Sequence, residues 1–132
     1  MKVLLVDNYD SFTFNLFHLL QDKVSVVDVA RNDKIDFDKV NQYDKIVLSP
    51  GPGIPDEAGL LKAIIKTYAP HKSILGVCLG MQAIAEVFGG TLRNLDTVYH
   101  GVSTPVKICN NDPLFEKLGD SFDVGRYHSW VV

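Results

Sequence analysis

The chain has 132 residues, which fits one domain, because domains of roughly 100–200 residues are usual. Its 13 basic and 16 acidic residues give a formal net charge of -3, which argues against a nucleic-acid partner, since such proteins usually carry a basic surface. With 46% hydrophobic and 22% charged residues, and no apolar run near the ~20 residues of a membrane span, the composition excludes a disordered chain and a membrane-spanning one.

Short apolar segments alternate with helical patterns in the first part of the chain. Residues 3–6 form a continuous apolar run, which indicates a strand buried on both faces. Asp10 or Ser11 can cap the helix that follows, and residues 24–29 and 46–48 predict two further strands. The first helix is indicated by apolar residues at helical spacing, namely Phe12, Leu16, Leu19 and Leu20.

The middle of the chain continues this alternation. Residues 55–57 are typical of a helix start, residues 74–77 of a fourth strand, and residues 79–88 of a helix closed by Gly89 and Gly90. The apolar face of the helix after residue 55 is formed by Leu60, Leu61, Ile64, Ile65 and Tyr68. Strands and helices that alternate in this way predict a parallel sheet covered by helices.

The last part of the chain has a different pattern. Residues 91–108 and 121–132 predict strands and loops, with a short helix near residues 113–118. In parallel sheets, ligands bind beyond the carboxyl ends of the strands, so the loops that leave those ends are expected to lie side by side. These loops are residues 7–11, 49–55 and 78–80.

The sharpest motif is the sequence Gly76-Val77-Cys78-Leu79-Gly80, which has the form of a nucleophile elbow with cysteine at its centre. Side chains at 76 and 80 would collide with the backbone of so abrupt a turn. Cys78 lies at a predicted helix N-terminus, which favours its thiolate and makes it the more reactive cysteine, and the Leu79 N–H can bind an oxyanion. The alternative is a small buried cysteine between strand and helix.

A second motif, Pro50-Gly51-Pro52-Gly53, forms a rigid loop. The prolines restrict φ, and the glycines permit positive φ and close approach by a ligand. Beside a reactive cysteine such a loop suits an oxyanion hole, whereas by itself it is equally well explained as a stiff turn.

The remaining cysteine and the histidines give weaker signals. Cys109 precedes a predicted turn at residues 110–112 and is interpreted as structural. Two cysteines without an export signal favour a reducing cytoplasm. A cysteine nucleophile needs a base, and His128 is a candidate, although a histidine bonded within its own segment is the better interpretation. The other histidines are His18, His71 and His100, and no spacing predicts a metal site.

Four ordered segments resemble the class I (triad) glutamine amidotransferases. They are residues 6–15, residues 48–55, residues 76–84 and the sequence Arg126-Tyr127-His128-Ser129. Within that family the first segment is similar to the glutaminase subunits of anthranilate and aminodeoxychorismate synthases. The resemblance covers the whole chain as one amidotransferase domain and implies an open, mainly parallel, doubly wound (flavodoxin-like) α/β sheet.

The resemblance also implies roles for individual residues. Cys78 attacks the carboxamide of glutamine, releases ammonia and forms a γ-glutamyl thioester. The loop of Gly51, Pro52 and Gly53, with the Leu79 N–H, stabilises the oxyanion. The substrate is held by Gln82, Ser129 and Trp130, and the family more often has leucine at position 130.

The implied partners are glutamine and a chorismate-using synthase subunit. The loops near residues 8–11 and at His100-Gly101 resemble the regions that meet that subunit. No cofactor, metal, nucleic acid or membrane is implied. Anthranilate and aminodeoxychorismate synthesis, in the tryptophan and folate branches, both fit the motifs.

One family feature is missing from these residues. The triad also needs a histidine and a glutamate spaced His-x-Glu after the Tyr-His-Ser motif, and the 132 residues contain no such pair. The family's last strands and helix are missing too. We therefore expect the chain to be truncated and, by itself, to hydrolyse little glutamine. Alternatives are a non-catalytic module that docks on the synthase and a cysteine hydrolase acting on another substrate.

Overall fold

The computed structural model describes residues 1–110 and 112–132. It divides into two compact units, one of Met1–Leu92 with Val132 and the other of Arg93–Val131. Across the described ranges, none of the helices has the length and apolar character needed to cross a membrane.

The first unit contains a parallel sheet of four strands in the order β2-β1-β3-β4. The strands are β1 (Lys2–Asp7), β2 (Val26–Arg31), β3 (Lys45–Leu48) and β4 (Ser73–Gly76). The helices are α1 (Thr13–Gln21), α2 (Phe37–Val40), α3 (Leu61–Tyr68) and α4 (Leu79–Val87), with a 3-10 turn at Pro55–Glu57. Strand β1 lies inside the sheet and is buried, as its continuous apolar run predicts.

Helices cover both faces of this sheet. Val3 and Leu5 pack with the α1 side chains on one face. Leu4 and Val6 contribute to a larger core on the other face, which includes α3 and α4 residues. Successive residues of a strand point to opposite faces of the sheet, so the apolar run of β1 contributes side chains to both hydrophobic cores. The prediction of a doubly wound α/β sheet is therefore confirmed.

The boundaries near the first and second strands differ from the prediction. Neither Asp10 nor Ser11 caps α1, whose N-cap position is Phe12 and has no side-chain cap. The Asp10 carboxylate instead accepts the Phe12 N–H at 2.8 Å. Strand 2 begins at Val26 rather than at residue 24, and the short helix α2 was not predicted.

The second unit is an antiparallel ribbon of β5 (Arg93–Lys107) and β6 (Ser121–Val131). The short helix predicted near residues 113–118 is wrong, because this segment forms successive turns in which Leu114 is 69% exposed. Without a buried apolar face, so short a helix has no packing to stabilise it. Asn111, within the turn predicted after Cys109, lies outside the described residues.

The prediction of a loop at His100-Gly101 is also wrong. Both residues belong to β5, at an irregularity in the pairing with β6 between His100 and Val102. Gly101 has φ +72°, a conformation that glycine adopts without strain. The segment that was predicted as a loop is therefore an irregular part of a strand.

Candidate active site

The predicted elbow is a strained turn between β4 and α4. Cys78 has φ 51° and ψ -108°, in a region that residues other than glycine rarely occupy. The backbone around it is held by hydrogen bonds, from the Val77 N–H to the Leu48 carbonyl at 3.0 Å and from the Gln82 N–H to the Cys78 carbonyl at 2.9 Å. Strain of this kind is found preferentially at functional sites.

The two glycines of the elbow occur where side chains have no room. A β-carbon at Gly76 would lie 2.5 Å from the carbonyl carbon of Gly80 and 2.5 Å from the Met81 nitrogen. A β-carbon at Gly80 would lie 2.6 Å from both the β-carbon and the carbonyl oxygen of Leu48. The expected collision with backbone atoms is confirmed at both positions.

The environment of the Cys78 thiol differs from the prediction. Burial raises the pKa of the thiol, the Leu79 backbone N–H lowers it, and the negative charge of Asp10 raises it further. The net direction of the pKa is upward, so burial and the Asp10 charge together outweigh the Leu79 N–H, and the predicted preference for the thiolate is not found. The proton of Cys78 must be taken by a base before the sulfur can attack.

The loop at residues 49–53 lies against both neighbouring loops, as the topology predicts. A β-carbon at Gly51 would lie 2.6 Å from the Asn8 β-carbon and 2.6 Å from a terminal methyl carbon of Leu79. Gly53 has φ +72°. The structure therefore brings Gly51 beside Leu79, the residue that follows Cys78, and both can contribute to one oxyanion site.

A buried polar network at the same edge of the sheet was not predicted. Asn8, Asn32 and Ser49 follow β1, β2 and β3 directly, and their exposures are 2%, 5% and 0%. The Asn8 side chain donates to the Ser49 carbonyl at 2.8 Å and accepts from Asn32 Nδ2 at 3.0 Å. The sequence does contain a signal for this network, because an asparagine or serine immediately follows each of three consecutive strands.

Gln82 lies on α4, one turn after Cys78, and is 5% exposed. The family role predicted for it is to hold the substrate. That role stays a prediction, and the structure places the Gln82 side chain in the buried first turn of the helix that begins at the elbow.

Ser129 and Trp130 lie on β6 in the second unit, both partly buried. Beside them, the two ring nitrogens of His128 are occupied within the same strand. Nε2 accepts from Arg126 Nε at 3.1 Å, and Nδ1 donates to the Trp130 carbonyl at 3.1 Å. The Arg126 guanidinium lies 3.4 Å from the Tyr99 ring centroid. His128 is thus bonded within its own segment, which was the preferred interpretation, and is not free to act as the base.

Cys109 is exposed, and its sulfur lies 3.7 Å from the Lys107 carbonyl. Within the described part of the chain, no group of three or more His, Cys, Asp or Glu side chains could hold a metal ion. Among the described residues, the candidate site therefore stays the elbow at Cys78.

Comparison with known proteins places these features in a family. A family model described as glutamine amidotransferase class-I matches residues 4–132. Aminodeoxychorismate synthase component 2 of Escherichia coli is 45% identical, over 98% of this chain and 70% of its own length. Anthranilate synthase component 2 of Lactococcus lactis is 42% identical, over 98% of this chain and 66% of its own length. This chain therefore spans about two thirds of each relative's length.

A solved structure supports the fold independently. The crystal structure of a glutamine amidotransferase from Thermotoga maritima has a TM-score of 0.74 and 18% sequence identity, covering 99% of this chain and 61% of that one. At this identity the likeness concerns the fold alone.

Proposed function

This chain belongs to the class-I glutamine amidotransferase family, and we propose that it supplies the nucleophile and oxyanion site of a glutaminase subunit that delivers ammonia to a synthase. The observation that carries the proposal is the strained Cys78 elbow with Gly51 packed against Leu79. We further propose that residues 1–132 belong to one amidotransferase domain, since the family model matches them almost without remainder.

The proposed reaction is acyl transfer through the Cys78 sulfur. A base takes the thiol proton, the sulfur attacks the glutamine carboxamide carbon, and the carbonyl oxygen becomes an oxyanion. The backbone of Gly51 and Gly53 and the Leu79 N–H stabilise that charge, while Pro52 restricts the loop. When the tetrahedral intermediate collapses, the C–N bond breaks, the nitrogen receives the proton and leaves as ammonia. Water then hydrolyses the γ-glutamyl thioester to glutamate and regenerates the thiol.

We propose that Gln82 holds the substrate near the elbow, and that backbone groups of Ser129 and Trp130 bind its amino-acid end. Trp130 stands where the family more often has leucine, and nothing in the structure explains that difference. The two free cysteines fit a reducing cytoplasm, where we place the protein.

The proposed partner is a chorismate-using synthase subunit, since the relatives are numbered as second components of such synthases. Exposed aromatic side chains near the β1–α1 loop support docking there, because exposed aromatic residues are enriched at interfaces. Tyr9, Phe12 and Phe14 are 49%, 57% and 59% exposed. We retain the bulge at His100-Gly101 as a second contact. Relatives from both the anthranilate and the aminodeoxychorismate branch are similar to this chain, so the synthase product can be either.

A test uses a subunit that contains these residues together with the family's His-x-Glu pair, combines it with the synthase subunit, and measures product formation with glutamine or with an ammonium salt. Cys78→Ala is expected to abolish the glutamine-dependent reaction and to leave the ammonium-dependent reaction unchanged. A glutamine analogue with an electrophilic γ-diazoketone is expected to label Cys78, and Cys109→Ala serves as the control variant. If Cys78→Ala retains full glutamine-dependent activity, the proposal is wrong. Complex formation without any glutamine-dependent activity in the unmodified protein would instead support the non-catalytic docking module.

A further inference from the structure

Three polar residues occupy equivalent positions in the sheet. Asn8, Asn32 and Ser49 each follow a strand at the carboxyl edge, and all three are nearly inaccessible to water. Buried polar groups are costly unless they are hydrogen-bonded, so the bonds between these residues determine what the arrangement can do.

Asn8 holds Ser49 through two hydrogen bonds. The Asn8 backbone N–H donates to Ser49 Oγ at 2.9 Å, and the Asn8 Nδ2 donates to the Ser49 carbonyl at 2.8 Å. Ser49 Oγ in turn donates to the Pro50 carbonyl at 2.6 Å. Asn32 orients the Asn8 carboxamide by donating to its Oδ1 at 3.0 Å. The bonds extend from the end of β2 to the first residues of the loop that contains Gly51.

Gly51 is confined by the same asparagine. The β-carbon that Gly51 lacks would lie 2.6 Å from the Asn8 β-carbon and 2.6 Å from a Leu79 methyl carbon. The Gly51 backbone therefore lies close to both Asn8 and the residue that follows Cys78, and the space beside its α-carbon is filled by these two residues. Because Asn8 and Leu79 fill the space beside Gly51, we expect a displacement of Asn8 to shift the Gly51 backbone relative to the elbow.

We propose that Asn8 is a positioning residue for the reaction, because its carboxamide holds Ser49 and thereby sets the place of the Gly51 backbone beside Leu79. This inference rests on the proposed glutaminase function. It requires asparagine rather than aspartate at position 8. A carboxylate has no N–H to donate to the Ser49 carbonyl, and two oxygens would then face each other in a buried place.

The variant Asn8→Asp tests this with almost no change of shape. In the complex of the synthase subunit with a subunit that also carries the His-x-Glu pair, we expect kcat for glutamine hydrolysis to fall by about 10–100-fold, because small misplacements of catalytic groups have effects up to this size. KM for glutamine should stay within about twofold, since ground-state binding does not use the oxyanion site. The rate at which iodoacetamide alkylates Cys78 should also stay within about twofold, because alkylation forms no oxyanion.

The matched control is Asn41→Asp, which makes the same chemical change at an exposed position after α2. It is expected to leave kcat, KM and alkylation unchanged. Ser49→Ala is the second variant, because it removes the acceptor of the Asn8 N–H while keeping the Ser49 carbonyl. It should lower kcat in the same direction by a smaller factor.

The outcomes separate the two proposals. If the unmodified complex uses glutamine through Cys78 and a folded Asn8→Asp protein has an unchanged kcat, the role of Asn8 is refuted and the glutaminase proposal stands. A parallel fall of kcat and of Cys78 alkylation also refutes it, since the elbow itself is then disturbed. If Asn8→Asp does not fold, the same measurements on Ser49→Ala test the positioning role of Asn8. If neither variant folds, the role of these residues is purely structural and the inference is refuted. If the unmodified complex shows no Cys78-dependent use of glutamine, the glutaminase proposal fails and the inference about Asn8 falls with it.

Discussion

Gly80 lies so close to Leu48 that the first turn of α4 and the end of β3 are in contact at the backbone. A β-carbon added at position 80 would lie 2.6 Å from the Leu48 β-carbon and 2.6 Å from its carbonyl oxygen. Neither atom belongs to the flexible end of a side chain, so one element would have to move. This close contact between Gly80 and Leu48 holds the start of α4, and with it Cys78, against β3. Strand β3 leads directly into the loop that contains Gly51.

Gly80→Ala is therefore expected to destabilise the protein by about 1–3 kcal/mol, the usual effect of overpacking a filled site. Urea denaturation followed by circular dichroism measures the change. Gly125→Ala is the control, because a β-carbon there would meet the Tyr127 ring at 3.3 Å, and that exposed ring can move aside. If Gly80→Ala unfolds at the same urea concentration as the unmodified protein, the close contact between Gly80 and Leu48 is contradicted.

The raised pKa of Cys78 predicts the order in which the cysteines react. Alkylation follows the thiolate fraction, and a higher pKa means less thiolate at neutral pH. Iodoacetamide should therefore modify the exposed Cys109 before the half-buried Cys78, which reverses the order predicted from the sequence. Peptide mass spectrometry between pH 6 and about 10 gives both rates, with the Cys78 rate rising at higher pH than that of an ordinary cysteine.

The contribution of Asp10 to that shift can be tested separately. Asp10→Asn removes a negative charge that raises the pKa of Cys78 but keeps an oxygen that can accept the Phe12 N–H. The pH profile of Cys78 alkylation should move to lower pH. Asp22→Asn, at the exposed end of α1, removes the same charge and should leave the profile in place. Equal profiles for the Asp10→Asn variant and the unmodified protein would disprove the assignment.

An ion-pair network joins the turn after the Gly51 loop to α4. The Lys62 ammonium lies 2.5 Å from Asp56 Oδ1 and 2.6 Å from the buried Glu86 Oε2. Lys62→Met leaves the Glu86 charge uncompensated and should cost about 1–3 kcal/mol at pH 7. Lys39→Met is the control, because the Lys39–Asp36 pair is exposed and such pairs contribute little.

The same network predicts a pH dependence. Hydrogen bonds to Asp56 and Glu86 raise the pKa of Lys62, so the folded protein binds this proton more tightly than the unfolded chain. The stabilisation is complete below about pH 10.4 and declines as the pH rises through the folded-state pKa. The difference in unfolding free energy between the unmodified protein and Lys62→Met should narrow in alkaline solution. A difference that stays constant there would contradict the assignment.

The exposed aromatic residues of α1 predict a loss of affinity for the synthase subunit. Phe14 is 59% exposed, and its ring lies edge-on to the Phe17 ring, with the two ring centroids 6.3 Å apart. If α1 docks as proposed, Phe14→Ser should raise Kd by about tenfold or more and leave thermal stability nearly unchanged. Leu19→Ser, a change of a 65% exposed residue on the same helix, is the control. Calorimetric titration with the synthase subunit distinguishes the two, and equal Kd values for both variants would exclude docking through Phe14.

The parallel sheet and the elbow were predictable from the sequence because their signals are local. The apolar run at residues 3–6 indicates a strand buried on both faces wherever the rest of the chain lies. Gly76 and Gly80 indicate a turn too tight for side chains, and the two close approaches are observed. The topology of parallel strands then brings the loops after β1, β3 and β4 to one edge.

Local signals failed where stability depends on packing. Residues 113–118 have the composition of a helix, but Leu114 is exposed and turns form instead. His100 and Gly101 have the composition of a loop, but pairing with β6 makes them part of a strand. A short segment adopts the structure in which other parts of the fold supply its packing and hydrogen-bonding partners. Those partners are distant in sequence, so a local pattern does not reveal them.

The sequence by itself determined the order of most strands and helices, the position of the strained elbow at Cys78 and the family to which the chain belongs. These depend on the spacing of apolar residues and on glycines at fixed positions along the chain. The tertiary structure decided the direction of the Cys78 pKa, because burial and the charge of Asp10 depend on the folded arrangement and together outweigh the Leu79 N–H. It also decided the bonds between Asn8, Ser49 and Asn32, which form because three strands end at one edge of the sheet and bring these buried polar groups within hydrogen-bonding distance of one another.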